Sequence, residues 1–175
     1  MNRIFRAISA LLLIGVIAAC GSSKPAMTPV NKFRSYDGPP VTQIVVKKGS
    51  RQLYLVSGKN VVKSYKIDLG FQPLGAKQIE GDGKTPEGVY FIDRFNPNSR
   101  YHLSVGISYP NPNDRVRAET FGHRPGGDIM IHGLGPDGRR LNKRDWTAGC
   151  IAVSDTDIEE IYAMLRPGTP IFIYP

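Results

Sequence analysis

The chain has 175 residues, a formal net charge of +8 from 23 Lys and Arg against 15 Asp and Glu, 41% hydrophobic and 9% aromatic residues, and two cysteines. That length builds one core rather than two, and the aromatic content with mixed charge argues against disorder. Two cysteines without a C-x-x-C pair form neither a disulfide framework nor a zinc or dithiol redox centre, whereas the positive balance alone raises nucleic acid as a partner.

Arg3 and Arg6 precede Ala7–Ala19, thirteen uncharged residues that end in Ile17-Ala18-Ala19-Cys20. A run that short suits a signal peptide over 1–19 and falls below the ~20 residues that span a bilayer. Its end resembles the bacterial lipobox, which implies cleavage before Cys20 and lipid modification of that cysteine. Each buried methylene contributes about 0.8 kcal/mol, so stable tethering through Cys20 requires more than one acyl chain. The competing reading is an ordinary secretory signal that leaves Cys20 free. Loss of Arg3 and Arg6 lowers the net charge to +6. On an exported protein that charge faces anionic lipid and wall carboxylates, not nucleic acid. The expected location is the cell envelope, as a periplasm-facing lipoprotein, with Gly21 rather than an acidic residue pointing to the outer membrane. Cys150 is then a lone thiol in an oxidising compartment, a placement that favours reactivity.

Gly21, Pro25, Pro29, Gly38, Pro39 and Pro40 mark residues 20–40 as a tether with a coil span of roughly 25 Å. The domain is expected over 41–175. Strand patterns cover Val41–Lys47, Arg51–Ser57 and Val61–Leu69, with Ser57-Gly58-Lys59-Asn60 as hairpin turn. Gly75–Gly88 reads as a long loop whose Thr85-Pro86-Glu87-Gly88 turns into a strand over Val89–Phe95. Within it, Gly81-Asp82-Gly83-Lys84-Thr85 is no phosphate loop, because Gln78 holds the place of the first glycine and Pro86 follows where a helix should run. Tyr101–Tyr109, Asp128–His132, Cys150–Val153 and Thr169–Tyr174 complete the strands. A short helical turn is expected at Asp114–Phe121. The clearest helix is Asp155–Leu165, with Ser154 as N-cap and Pro167-Gly168 as stop. The sum is a mainly β fold, an antiparallel sandwich or mixed sheet with one or two short helices.

His102, His123 and His132 lack metal-site spacing, so no metal is expected. His102 and His123 read as packing or surface residues. His132 ends an apolar strand and opens into Gly133-Leu134-Gly135-Pro136, a position where functional groups are common, though a satisfied core histidine has the same context. Cys150 follows Thr147-Ala148-Gly149. Gly149 leaves the sulfur approachable, and the Gly149 and Cys150 amides are placed to form an oxyanion hole. A thiol with an ordinary pKa near 8.5 wants an imidazole beside it, and His132 is the best placed. A buried, inert cysteine satisfies the composition equally well.

His132-Gly133, the spacer 133–146, and Thr147-Ala148-Gly149-Cys150-Ile151 together resemble the signature of the L,D-transpeptidase (YkuD-type) catalytic domain. Gly83–Ile92 resembles the family's Thr-Pro-x-Gly segment and Gly168–Ile173 its closing strand, so the similarity covers roughly 41–174. The flavour is that of exported murein L,D-transpeptidase-like proteins with Ile107-Ser-Tyr-Pro-Asn111 before the histidine strand. The resemblance implies a cofactor-free peptidoglycan L,D-transpeptidase acting on stem tetrapeptides in wall biogenesis or remodelling. Cys150 is then nucleophile, His132 general base, the Gly133 carbonyl its tautomer-holding partner, and the Gly149 and Cys150 amides the oxyanion donors. Thr147 and Tyr109 are expected to contact substrate. Many members carry His at Ala148 and Asn or Arg at Ala152, which leaves water as a rival acceptor and peptidase or amidase as the alternative activity. A non-enzymatic, lipid-tethered wall-binding module is the third reading; a papain-like protease fails on the order of Cys and His. For the anchor, metabolic labelling with a fatty acid is expected to mark the wild-type chain and spare Cys20→Ser; label in both would exclude lipidation at Cys20.

Overall fold

The computed structural model describes residues 31–175, so Cys20, the signal peptide and the first part of the tether lie outside the described residues. Eight strands lie in the order β3-β2-β1-β8-β4-β5-β6-β7. They are β1 (Gln43–Lys47), β2 (Gln52–Ser57), β3 (Asn60–Lys66), β4 (Gly88–Asn96), β5 (Ser104–Ile107), β6 (Met130–His132), β7 (Ile151–Ala152) and β8 (Pro170–Tyr174). The mainly β expectation holds, as one curled, mixed sheet: β1 runs parallel to β8 and β6 to β7, and the remaining pairs are antiparallel.

β4 is the pivot. Gly88–Phe91 pairs with β8 and Ile92–Asn96 with β5, and the register slips between Ile92 and Arg94. Such an irregularity bends the strand and lets the sheet curl round its contents. Alternation in β1 and β2 aims Ile44, Val46, Leu53 and Leu55 inward, all fully buried, where they join Ile92, Val105, Ile131, Ile151 and Ile171. Each such side chain contributes about 1.5–3 kcal/mol relative to exposure.

The two ends of the strand order meet. Asp68 and Leu69, expected to prolong the third strand, leave β2 and, with Phe71, bond instead to the segment around Cys150. Asp68 and Ala152 exchange N–H···O bonds of 2.9 and 2.8 Å, Thr147 N–H reaches Leu69 O at 3.2 Å, and Phe71 N–H reaches Thr147 O at 2.8 Å. No exposed edge is left on that flank. Arg51 secures it: the guanidinium clasps Asp145 at 2.7 and 2.9 Å, and Asp145 also accepts Leu69 N–H at 3.0 Å.

Three helices, not one or two, pack on this frame. α1 (Pro112–Thr120) starts two residues before the expected turn, because Asn111 and Asp114 form a reciprocal capping box. α3 (Asp155–Met164) begins at Ser154, whose hydroxyl accepts Asp157 N–H, and buries Ile158 and Ile161. α2 (Gly135–Leu141), in the Gly/Pro stretch after His132, carries no apolar periodicity and was invisible to it. The strand expected over Tyr101–Tyr109 shrinks to β5, since His102 takes a left-handed φ of 75° and Leu103 N–H turns back to Tyr101 O.

Residues 31–40 form no helix or strand but lie against the domain. Arg34 meets Glu159 at 2.9 Å, Lys32 donates to the Pro97 and His102 carbonyls, and Phe33 packs on Tyr162.

The long loop 70–88 is pinned from below by Lys48, which is 2% exposed. Its ammonium donates to Gly75 O (2.6 Å), Thr85 O (2.9 Å) and Glu87 Oε1 (2.8 Å). Burial pushes the Lys48 pKa down, and the Glu87 carboxylate opposes that. Removing one partner of a buried pair costs about 3–5 kcal/mol, whereas removing the buried charge itself costs less. Urea unfolding is therefore expected to show Glu87→Ala losing about 3 kcal/mol and Lys48→Met losing less; equal stability of Glu87→Ala and wild type would refute the anchor.

Candidate functional site

Cys150 precedes β7, and His132 closes β6 beside it. The parallel register sets His132 opposite Ala152 and Ile131 opposite Ile151, so nucleophile and base candidates stand on adjacent strands. His132 Nδ1 lies 2.6 Å from Gly133 O. A carbonyl only accepts, so Nδ1 carries the proton and a neutral ring keeps its Nε2 lone pair free. Gly133 owes its identity to crowding: a Cβ there would fall 2.6 Å from Asp155 Oδ1 and 2.8 Å from Tyr101 O.

Two residues that periodicity did not single out hold the imidazole. Tyr101 stacks on it with ring centroids 4.6 Å apart and planes at 29°, and Trp146 meets it edge-on at 5.7 Å. Tyr101 and Trp146 touch each other at 5.5 Å, which closes a cage. The signal was the chain's only tryptophan, four residues before Cys150. The ring is 3% exposed, and this burial pushes the His132 pKa below its ordinary 6.5, against the pull of the Gly133 carbonyl.

Cys150 is half-buried. Its thiol donates to Asp128 O at 3.5 Å. Burial pushes the thiol pKa up; the Met130 amide opposes this and the Asp128 charge adds to it.

The turn before Cys150 is built differently from expectation. Gly149 N–H donates to Thr147 Oγ1 at 3.1 Å, and that hydroxyl donates to Cys150 O at 2.7 Å. The Gly149 amide is thus committed, leaving the Cys150 amide as the donor beside the sulfur. Gly149 is needed for its φ of 135° and because a Cβ would fall 2.7 Å from Lys84 O, so its bareness admits the 70–88 loop rather than a substrate. Thr147 is buried and braces the turn instead of lining the cleft. Tyr109, expected to contact substrate, is likewise buried. It is 5% exposed, donates to Pro125 O at 3.0 Å and packs edge-on against Tyr90. Ala148 is exposed. His102 bonds Glu159 at 2.8 Å, away from this cluster.

Residues 41–173 match the family profile of the YkuD L,D-transpeptidase catalytic domain. The chain belongs to that family. It is 33% identical over 185 residues to an Escherichia coli (strain K12) protein named "Putative L,D-transpeptidase YafK", covering 96% of this chain and 69% of that one. Among solved structures, the helical cell shape determining protein Pgp2 from Campylobacter jejuni superposes with a TM-score of 0.61 at 29% identity, over 82% of this chain; the chain spans half the length of Pgp2. An L,D-transpeptidase from Mycobacterium smegmatis shares the fold at 14% identity and TM-score 0.52, over 79% of this chain and 60% of that one.

The raised thiol pKa and lowered imidazole pKa keep the proton on sulfur at rest. Alkylation of Cys150 by iodoacetamide is expected to be slower at pH 7 than that of a free cysteine. Its rate should climb about tenfold per pH unit through neutrality, because the thiolate is the reactive form and burial holds the thiol pKa above its ordinary value. A rate plateau near neutrality would overturn this assignment.

Proposed function

We propose that this chain is a peptidoglycan L,D-transpeptidase that works through a Cys150 thioester. The observation that carries the reading is the His132 Nδ1–Gly133 O bond, which fixes the imidazole with Nε2 as acceptor on the strand next to Cys150. Nε2 takes the thiol proton as sulfur attacks the carbonyl before the terminal D-residue of a stem tetrapeptide. The oxyanion forms against the Cys150 amide; losing one such donor typically costs about 2.7–4 kcal/mol of transition-state stabilisation. The C–N bond then breaks, and the departing amine of D-alanine leaves with the proton from His132. An incoming amine attacks the thioester, gives its proton to His132, and the proton returns to the sulfur as the C–S bond breaks.

The exposed Ala148 supports a second reading in which water takes the amine's place. Ala148 puts a methyl group where the family resemblance places a polar neighbour of the thiol. In that case the products are a shortened stem and a free amine. The cell shape role named for Pgp2 supports placing either activity in wall remodelling. Attachment through Cys20 would hold the domain at the envelope, facing the periplasm from the outer membrane.

Incubation of the full chain with purified disaccharide tetrapeptides, followed by mass spectrometry, is expected to give cross-linked dimers with release of D-alanine. Shortened stems without dimers would select the hydrolytic reading. Cys150→Ala and His132→Gln are each expected to lose at least about a thousandfold in rate. Activity that survives Cys150→Ala would end both readings.

A further inference from the structure

Two cavities lie on the flank of the cage, and they share Asp68, Leu134 and Arg144. One, of about 490 Å³, runs between β3 and the start of α3 past Lys66 and Ala152; the other, of about 320 Å³, runs under α2 to Trp146. They form one groove with an apolar floor of Ile67, Leu134, Val153 and the Trp146 indole.

Its charge is unbalanced. Five cationic side chains, Arg51, Lys66, Arg139, Lys143 and Arg144, face two carboxylates, Asp68 and Asp157. Arg51 is committed to Asp145 and Arg139 to Asp155, both outside the lining. Arg144 reaches Asp68 only at 3.9 Å and is 75% exposed, while Lys66 and Lys143 are exposed. Three cations are therefore available to a ligand. At the inner end, Trp146 Nε1 is buried and has no hydrogen-bond acceptor among the described residues. A donor left unpaired in that position costs stability until an acceptor arrives.

We propose that this groove is a second peptide subsite: it takes a carboxylate-bearing wall peptide, with acid groups on Lys66 and Arg144 and a backbone carbonyl or carboxylate on Trp146 Nε1. The assignment rests on the peptidoglycan reading above. An apolar floor suits the aliphatic parts of such a peptide, and a cationic rim suits its free carboxylates. Trp146, at one end of the groove, also packs edge-on against His132, so the groove adjoins the cage.

Trp146 is the only tryptophan, so its fluorescence reports on the groove and the cage together. The experiment titrates full-length Cys150→Ala with a disaccharide tetrapeptide, with the same compound amidated at its carboxylates, and with vesicles of anionic lipid. The expected result is a saturable fluorescence change with the acid form that weakens with salt, is about tenfold weaker or more for the amidated form, and is weakened likewise by Lys66→Gln/Arg144→Gln. In a Cys150 background the same double variant should keep its iodoacetamide alkylation rate, which shows that the thiol pocket is intact. Equal affinity in the double variant would overturn the subsite, as would a response to vesicles but not to the peptide. Binding of the peptide without turnover by the wild type would leave the groove standing and remove the catalytic reading, so the two failures are distinguishable.

Discussion

The site depends on a closure in the backbone. Residues 67–71 leave their own hairpin and hydrogen-bond on both sides of Cys150, to Thr147 before it and Ala152 after it. β7 has only two residues and would be a poor strand alone. With β6 on one side and Asp68 on the other, its amides and carbonyls are paired in both directions, and Cys150 is held at the mouth of a closed sheet. The Arg51–Asp145 clasp and the Lys48 anchor serve that closure from outside: the first fixes the approach to Trp146, the second presses the 70–88 loop against Gly149.

This arrangement explains why several polar groups near the sulfur are unavailable to a substrate. Thr147 and the Gly149 amide satisfy each other, because a turn this tight leaves no other acceptor for that N–H. Asp155 is used similarly: one oxygen accepts Gly135 N–H, and the other meets Arg139. The loop from His132 to α2 is therefore set by α3's first residue. The proposed chemistry therefore falls to few atoms, the Cys150 sulfur and amide and the His132 Nε2.

The strands, the helix α3 and the apolar strand that ends at His132 were legible because each leaves a local mark: period-two alternation, an N-cap serine, a histidine at the end of an apolar run. The bonding of Asp68 to Ala152 joins residues 84 positions apart, and nothing local announces it. The same holds for Tyr101, which reaches His132 only through the turn at His102. Tyr109, which ends an expected strand, likewise gives no local sign of its surroundings: its hydroxyl donates to Pro125 O and its ring fills the core. Gly149 misled because a bare glycine beside a cysteine has two uses, and close approach of the Lys84 carbonyl is one that sequence does not display.

Burial acts on the two reacting groups in a consistent direction. It raises the thiol and lowers the imidazole, so a neutral pair is favoured over thiolate and imidazolium. The thiol form resists oxidation and exchange, so this state protects Cys150 at rest. The cost is that proton transfer to His132 must be helped at the moment of reaction. In the proposed reaction, a substrate carbonyl at the Cys150 amide would supply that help. The aromatic cage, by burying His132, sets the resting protonation from which the proposed acyl transfer would start.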